Sequence, residues 1–369
     1  MKCILHIGTE KTGTTFIQKW LYKNLEILKE NKIYLPKKFG MPNNWYFPYY
    51  FSDKYDGHFM KKNDIKTQAD KEAFFADFST RFTEELEKAR GCEYFLITSE
   101  HFHSRLKELR DIERLKEFLS TFFEEIYVIC YFREQSAMAL SLYSTDLKGG
   151  GIAKIDKFMR RARPENYYFN FSRIADNWSR VFGRERCIFR IYDRKYFANG
   201  DLRFDFFLAL GFDCESFSFS DSRNKENISL SGWQAVILRE VNEFFSSKCL
   251  NKKHETQRTR IKDKILHLDA LRTGPVHYER QREVFENFIP YNEKFLNKYF
   301  PDGECFDFLD IGLKGDIKAT DQEVADILAS MTNIFLDEII DDEESDDRLS
   351  KSHVGRSKFF GILDYSWWK

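Results

Sequence analysis

The sequence predicts an α/β protein, a three-layer sandwich whose central parallel β-sheet is flanked by helices, with a helical extension towards the C-terminus. Three observations predict it. Short, uninterrupted apolar runs rich in β-branched and aromatic residues occupy residues 3–7, 94–98, 126–132 and 187–192, the pattern of strands buried on both faces. Between them lie longer stretches whose apolar residues recur at helical spacing, at 14–30, 71–90, 108–123, 134–148 and 171–182. Beyond about residue 213 the strand signals fade and helical patterns dominate, at 232–247, 279–299 and 321–340. Parallel neighbours need a crossover, and the crossover is usually a helix, so this alternation implies a parallel sheet covered on both sides.

Composition bounds the rest. The chain has 369 residues, 42% of them apolar, enough for a large core. At roughly 150 residues per domain the length suggests about two domains, and one elaborated domain also fits. With 58 Lys+Arg against 59 Asp+Glu, the chain lacks the basic excess that coating nucleic acid requires, so no nucleic-acid partner is expected. Seven cysteines are widely spread with no C-x-x-C pair, which implies neither a disulfide framework nor a zinc knuckle. Cys3, Cys92, Cys130 and Cys187 lie in or beside strand-like runs and read as small buried apolar residues. The first apolar stretch is too short for a signal-peptide core, and no run of about 18 apolar residues occurs, so a cytoplasmic protein without a transmembrane segment is expected.

Towards the C-terminus, Lys252, Lys253, Arg258, Arg260 and Lys262 form a basic stretch, either a solvated loop or a patch for an anionic partner. An acidic run at 337–347 precedes a tail carrying Phe359, Phe360, Tyr365, Trp367 and Trp368. That tail can dock on the body, on a partner or, peripherally, on a membrane surface. The expected organisation is an α/β core at 1–235, a helical part at 236–340 completing the same domain, and a linker and tail at 341–369.

Parallel sheets place ligands outside the carboxyl ends of their strands, which directs attention to the loops after residues 7, 98 and 132. The first reads Gly8-Thr9-Glu10-Lys11-Thr12-Gly13-Thr14-Thr15 and opens an amphipathic helix. Two glycines let backbone N–H groups wrap an anion, and the helix N-terminus adds roughly half a positive charge. Lys11 adds a full charge, and the Thr14 and Thr15 hydroxyls can donate to phosphate oxygens. A Walker A loop places Lys and then Ser/Thr directly after its second glycine. Here Thr14 follows Gly13 and the lysine precedes it, which disfavours a nucleoside triphosphatase.

Lys-Thr-Gly-Thr-Thr at residues 11–15 resembles the 5′-phosphosulfate loop of sulfotransferases that use 3′-phosphoadenosine 5′-phosphosulfate (PAPS). The third run ends in Arg133, and Ser141 follows eight residues later on the next helix. A guanidinium and a hydroxyl so placed can converge on one phosphate, and sulfotransferases hold the 3′-phosphate of the nucleotide with a similar pair. Residues 223–231, Arg-Asn-Lys-Glu-Asn-Ile-Ser-Leu-Ser, look like a stretch that opens a helix in many bacterial members, with Arg223 a nucleotide contact and Ser229 or Ser231 a helix cap. Lys314-Gly315-Asp316 is a weak counterpart of the cytosolic family's Arg-Lys-Gly segment.

The resemblance implies a P-loop-type fold, no metal, and a nucleotide site made of Gly8, Thr9, Lys11, Thr12, Gly13, Thr14, Thr15, Arg133, Ser141 and Arg223. Lys11 would stabilise charge on the leaving oxygen, and a His or Glu would serve as general base. The second run ends in Thr98-Ser99-Glu100-His101-Phe102-His103, which makes Glu100 the first candidate, His101 the next and His103 the third, with Glu10 a further one. The expected reaction moves a sulfuryl group to an acceptor hydroxyl or amine, on a carbohydrate or glycolipid. Aromatic-rich segments at 43–59 and 166–171 fit an acceptor surface or core packing equally. The rivals are a P-loop small-molecule kinase and a non-catalytic module that binds nucleotide or glycan.

Overall fold

A computed structural model describes residues 1–55, 57–212, 230–246, 252–271 and 278–307. The described residues form two compact units, one within 1–138, 162–212 and 285–307, the other within 139–161, 230–246, 252–271 and 278–284.

The first unit holds the sheet. β1 (Lys2–His6) leads through α1 (Thr14–Lys23) and α2 (Leu25–Glu30) to β2 (Ile33–Tyr34). Four helices, α3 (Tyr46–Phe51), α4 (His58–Lys62), α5 (Gln68–Phe74) and α6 (Phe78–Lys88), precede β3 (Tyr94–Thr98). α7 (His101–Arg105) and α8 (Leu109–Ser120) connect it to β4 (Ile126–Phe132). The chain then enters the second unit along α9 (Gln135–Lys148), with α10 (Ile155–Met159) there, and the first unit resumes with α11 (Phe171–Phe182), β5 (Cys187–Ile191) and α12 (Leu202–Ala209). The five strands are all parallel, in the order β2-β3-β1-β4-β5.

That order positions the site. The crossover from β1 leaves towards β2 and that from β4 leaves towards β5, so the crevice outside the carboxyl ends of β1 and β4 is where ligands bind in such sheets. Alternate residues pack opposite layers. Ile4, Leu96, Ile129 and Tyr131 meet Ile17, Trp20 and Leu21 of α1 and Phe206 and Phe207 of α12, while Phe132 packs against Phe171 of α11 with ring centroids 5.0 Å apart.

Several expectations are refined. The run at 14–30 is two helices, because Asn24 interrupts it and its side-chain amide donates back to the Trp20 carbonyl (2.8 Å). The run at 71–90 likewise divides into α5 and α6. Cys3, Cys130 and Cys187 are buried thiols, Cys92 is half-buried and Cys305 exposed. Burial pushes the Cys3 and Cys130 thiols well up, as expected of inert packing residues.

The second unit has its own core, in which Tyr143, Leu147 and Phe158 pack with Leu238, Val241 and Phe245 of α13 (Gly232–Ser246) and Ile261 and Ile265 of α14 (Lys252–His267). The basic stretch is helical from Lys252 onward. α15 (Tyr278–Tyr299) passes from the second unit into the first. The helix expected at 321–340, the acidic run and the aromatic tail lie outside the described residues. Among those described, no helix is long and apolar enough to cross a membrane.

Candidate functional site

The loop after β1 is fastened to β4 before it turns. Ile7 N–H donates to the Ile129 carbonyl (3.0 Å), Thr9 N–H to the Tyr131 carbonyl (2.8 Å) and Tyr131 N–H to the Gly8 carbonyl (2.7 Å). Gly8 and Gly13 then adopt φ of +104° and +71°; a Cβ would lie 3.1 Å from Glu100 Cα at the first and 2.6 Å from Leu202 Cδ2 at the second. Both positions therefore require glycine. Lys11 lies between them in the left-handed region (φ 67°), a conformation that costs a non-glycine residue energy and concentrates at ligand-binding sites.

Two of the hydroxyls work inside the loop. Thr9 Oγ1 donates to the Tyr131 carbonyl (3.1 Å) and Thr12 Oγ1 to the Thr9 carbonyl (2.6 Å). α1 then begins with Gly13 as its N-cap and no side chain capping its first turn. The amides and positive end of a ten-residue helix thus face the loop's concavity. Thr14 is buried there and Thr15 exposed.

Arg133 joins this cradle from β4. Its Nη1 donates to the Lys11 carbonyl (3.1 Å), and its guanidinium lies 5.7 Å from the centre of the Tyr192 ring. Tyr192 follows β5, and its hydroxyl would be 3.2 Å from a Cβ at Gly13. Burial presses Arg133 below the usual arginine range, so a cation held there gains from an anionic partner. Glu134 is engaged elsewhere: its carboxylate accepts from Ser136 N–H (2.7 Å), Ser136 Oγ (2.5 Å) and Ala137 N–H (2.9 Å), capping α9.

Ser141, two turns along α9, belongs to the second unit and is half-buried. In that unit Ser231 Oγ accepts from Gln234 N–H (3.2 Å) while Ser231 N–H donates to Gln234 Oε1 (3.0 Å), a helix cap at the start of α13. Arg223, Ser229 and Lys314 lie outside the described residues.

The candidate bases at the start of α7 occupy distinct surroundings. Glu100 sits against Gly8 and accepts a hydrogen bond from Gln18 Nε2 (2.6 Å). Behind it, His6 Nδ1 bonds Thr98 Oγ1 (2.9 Å), and burial pushes His6 down to about 3. His101 stacks on Trp45 with ring centroids 6.5 Å apart and presents Nδ1 to Glu10 Oε1 at 3.8 Å.

His103 is fully buried, with Nδ1 accepting from Glu10 N–H (3.3 Å) and Nε2 donating to the Tyr168 carbonyl (2.9 Å). Burial pushes it down to about 4, so it is neutral with both nitrogens occupied, which removes it as a base. Glu10 accepts from the Tyr168 hydroxyl (2.7 Å). Burial alone would raise its carboxyl, but His101, His103, Ser104 and the Tyr168 hydroxyl together outweigh burial and hold it below the usual range.

Sequence reasoning missed Gln18, Tyr168 and Tyr192. Gln18 alone carried a signal, four residues after Thr14 and so on the same face of α1. In the segments at 43–59 and 166–171, Phe47, Tyr49, Phe51, Phe59, Tyr167 and Phe169 are buried in packing, while Trp45, Tyr46, Tyr50, Tyr55 and Tyr168 are half-buried. Among the described residues no group of three or more His, Cys, Asp or Glu is placed to hold a metal ion.

No family model matches the sequence. It is 28% identical over 210 residues to an uncharacterized protein of Archaeoglobus fulgidus, an overlap covering 56% of this chain and 53% of that protein. The chain thus spans about half the length of the curated relative it matches. Among solved structures it is similar to a sulfotransferase from Alicyclobacillus acidocaldarius, with 15% identity, coverage of 66% of this chain and 90% of that one, and a TM-score of 0.41.

Proposed function

We propose that the protein transfers a sulfuryl group from PAPS to a hydroxyl or amine of an acceptor. One observation carries this reading: Arg133 donates to the carbonyl of Lys11, so the arginine at the end of β4 and the loop after β1 lie within hydrogen-bond reach of each other, which supports their serving one ligand. The first turn of α1 has no side-chain cap, which supports a phosphate or sulfate at that end of the helix.

When bound, the donor supplies the sulfuryl group and a phosphate leaving group. Lys11 and the amides of residues 13–15 would hold the 5′ side and stabilise negative charge as it builds there. Arg133 would hold the 3′-phosphate, a static charge that fixes orientation. Glu100 or His101 would take the proton of the acceptor, since both stand at the end of β3 beside Gly8 or Glu10. A carbohydrate or glycolipid acceptor rests chiefly on the resemblance, because seven of the twelve aromatic residues in the two segments are buried, though Trp45, Tyr46, Tyr50, Tyr55 and Tyr168 are only half-buried.

The test is transfer of radiolabelled sulfate from PAPS to a panel of sugars, glycolipids, phenols and amines in the presence of a chelator. Labelled product that disappears in Lys11→Ala is expected. Transfer of labelled phosphate from ATP, dependent on Mg²⁺, would replace this reading with the kinase one.

A further inference from the structure

We propose that Glu10 is a positioning residue that orients the imidazole of His101, with Tyr168 holding Glu10 in place; this rests on the sulfuryl-transfer reading. Three hydrogen bonds close a circuit. Tyr168 Oη donates to Glu10 Oε2 (2.7 Å), Glu10 N–H donates to His103 Nδ1 (3.3 Å) and His103 Nε2–H donates to the Tyr168 carbonyl (2.9 Å). The circuit ties the phosphate loop to α7 and to the 3₁₀ turn Tyr167–Phe169. It leaves Glu10 little freedom.

The other carboxylate oxygen, Oε1, faces His101 Nδ1 at 3.8 Å. That nitrogen is buried and has no hydrogen-bond partner. An orphaned buried donor is costly, and a carboxylate opposite it favours the tautomer with the proton on Nδ1. Closing 3.8 Å to hydrogen-bond length takes a movement of about 1 Å, and catalytic hydrogen bonds commonly tighten only when substrate binds. With Nδ1 protonated, Nε2 carries the lone pair. A base needs that lone pair, and 24% of the His101 side-chain surface remains accessible to an acceptor.

The ring has few alternatives. Trp45 stacks on it at an interplanar angle of 22°, and Tyr49 lies 5.9 Å away, centroid to centroid. His103, two residues on, is the contrasting case, with both nitrogens committed to the circuit. Glu10 is ionised at neutral pH, because its neighbours hold its carboxyl below the usual range. Within the proposed reaction His101 is therefore the proton acceptor, Glu10 fixes its tautomer, and Tyr168 and His103 fix Glu10.

The experiment is long-range ¹H–¹⁵N NMR on the full-length labelled protein at pH 8, with the His101 signals assigned by His101→Gln. The expected wild-type signature is a protonated Nδ1 and a bare Nε2. Glu10→Ala should shift His101 towards the Nε2-protonated form that free imidazole side chains prefer, and Tyr168→Phe should shift it less in the same direction. A wild-type His101 already protonated on Nε2, or signals identical in all three proteins, overturns the proposal. Should Glu10→Ala fail to fold, Tyr168→Phe decides by the same criterion. A parallel titration of wild type with 3′-phosphoadenosine 5′-phosphate separates the two readings. Absent binding overturns sulfuryl transfer while the tautomer result stands, and binding with unmoved tautomers overturns only the role of Glu10.

Discussion

The loop at residues 8–13 and the aromatic block between β2 and β3 are both built from residues that bind ligands in other proteins, and they use them in opposite ways. In the block, Phe39, Phe47, Phe78 and Phe82 pack ring on ring, with centroids 4.6 to 6.0 Å apart in the contacts made by Phe39. Phe82 is fully buried and also touches Phe95, Phe118 and Phe123. In the loop, the hydroxyls of Thr9 and Thr12 are turned inward so that the backbone can face outward. An aromatic-rich segment therefore says little about binding until its packing is known. A pair of glycines bracketing a lysine at a strand end says more, since the chain accepts that strain only for a reason.

Substitutions in the two regions should separate stability from turnover. The largest effect is expected from Phe82→Ala, about 3–5 kcal/mol of unfolding free energy measured in urea, because it leaves a cavity in a ring cluster. A loss below about 1 kcal/mol would show that the block is loosely packed. Lys11→Ala should barely move the urea midpoint yet slow sulfuryl transfer on the order of 10²–10³-fold, as loss of one preorganised charge does. Equal loss of stability and rate would make Lys11 a structural residue and erase the contrast.

A smaller effect should appear on acidification. The folded-state values of His6 and His103 are pushed down to about 3 and about 4, from an ordinary 6.5. The unfolded chain therefore takes up these protons first, and stability present above pH 6.5 is lost as pH falls. Each histidine should cost about 2 kcal/mol between pH 7 and pH 5, and His103→Gln should remove roughly half of that slope. Glu10, held below the usual range, acts in the same direction because its contribution is lost as pH falls through its folded value. Stability that stays flat from pH 7 to pH 5 would mean these histidines are not held neutral.

The long strands were legible because burial on both faces turns them into unbroken apolar runs. β2 was not, since two residues, Ile33 and Tyr34, carry no periodicity. Gly8, Lys11, Gly13 and Arg133 could be selected from sequence because strand ends in parallel sheets are where ligands sit. The roles of His101 and His103 could not be separated that way. Two residues apart on a helix, they are rotated by about 200°, and only the packing of α7 shows which faces inward. Tyr168 lies 158 residues from Glu10, and no local pattern announces so distant a partner.

The central claim is that Arg133 and the loop at residues 8–15 form one site for a nucleotide bearing two phosphate groups, on its 5′ and 3′ sides. Calorimetric titration with 3′-phosphoadenosine 5′-phosphate, with ATP as comparison and with and without Mg²⁺, tests it most directly. Metal-independent binding that prefers the 3′-phosphorylated nucleotide, and weakens in Arg133→Ala by about 1.5–3 kcal/mol as loss of a charged hydrogen-bond partner predicts, is the expected result. A preference for ATP with Mg²⁺, or undiminished affinity in Arg133→Ala, would contradict it.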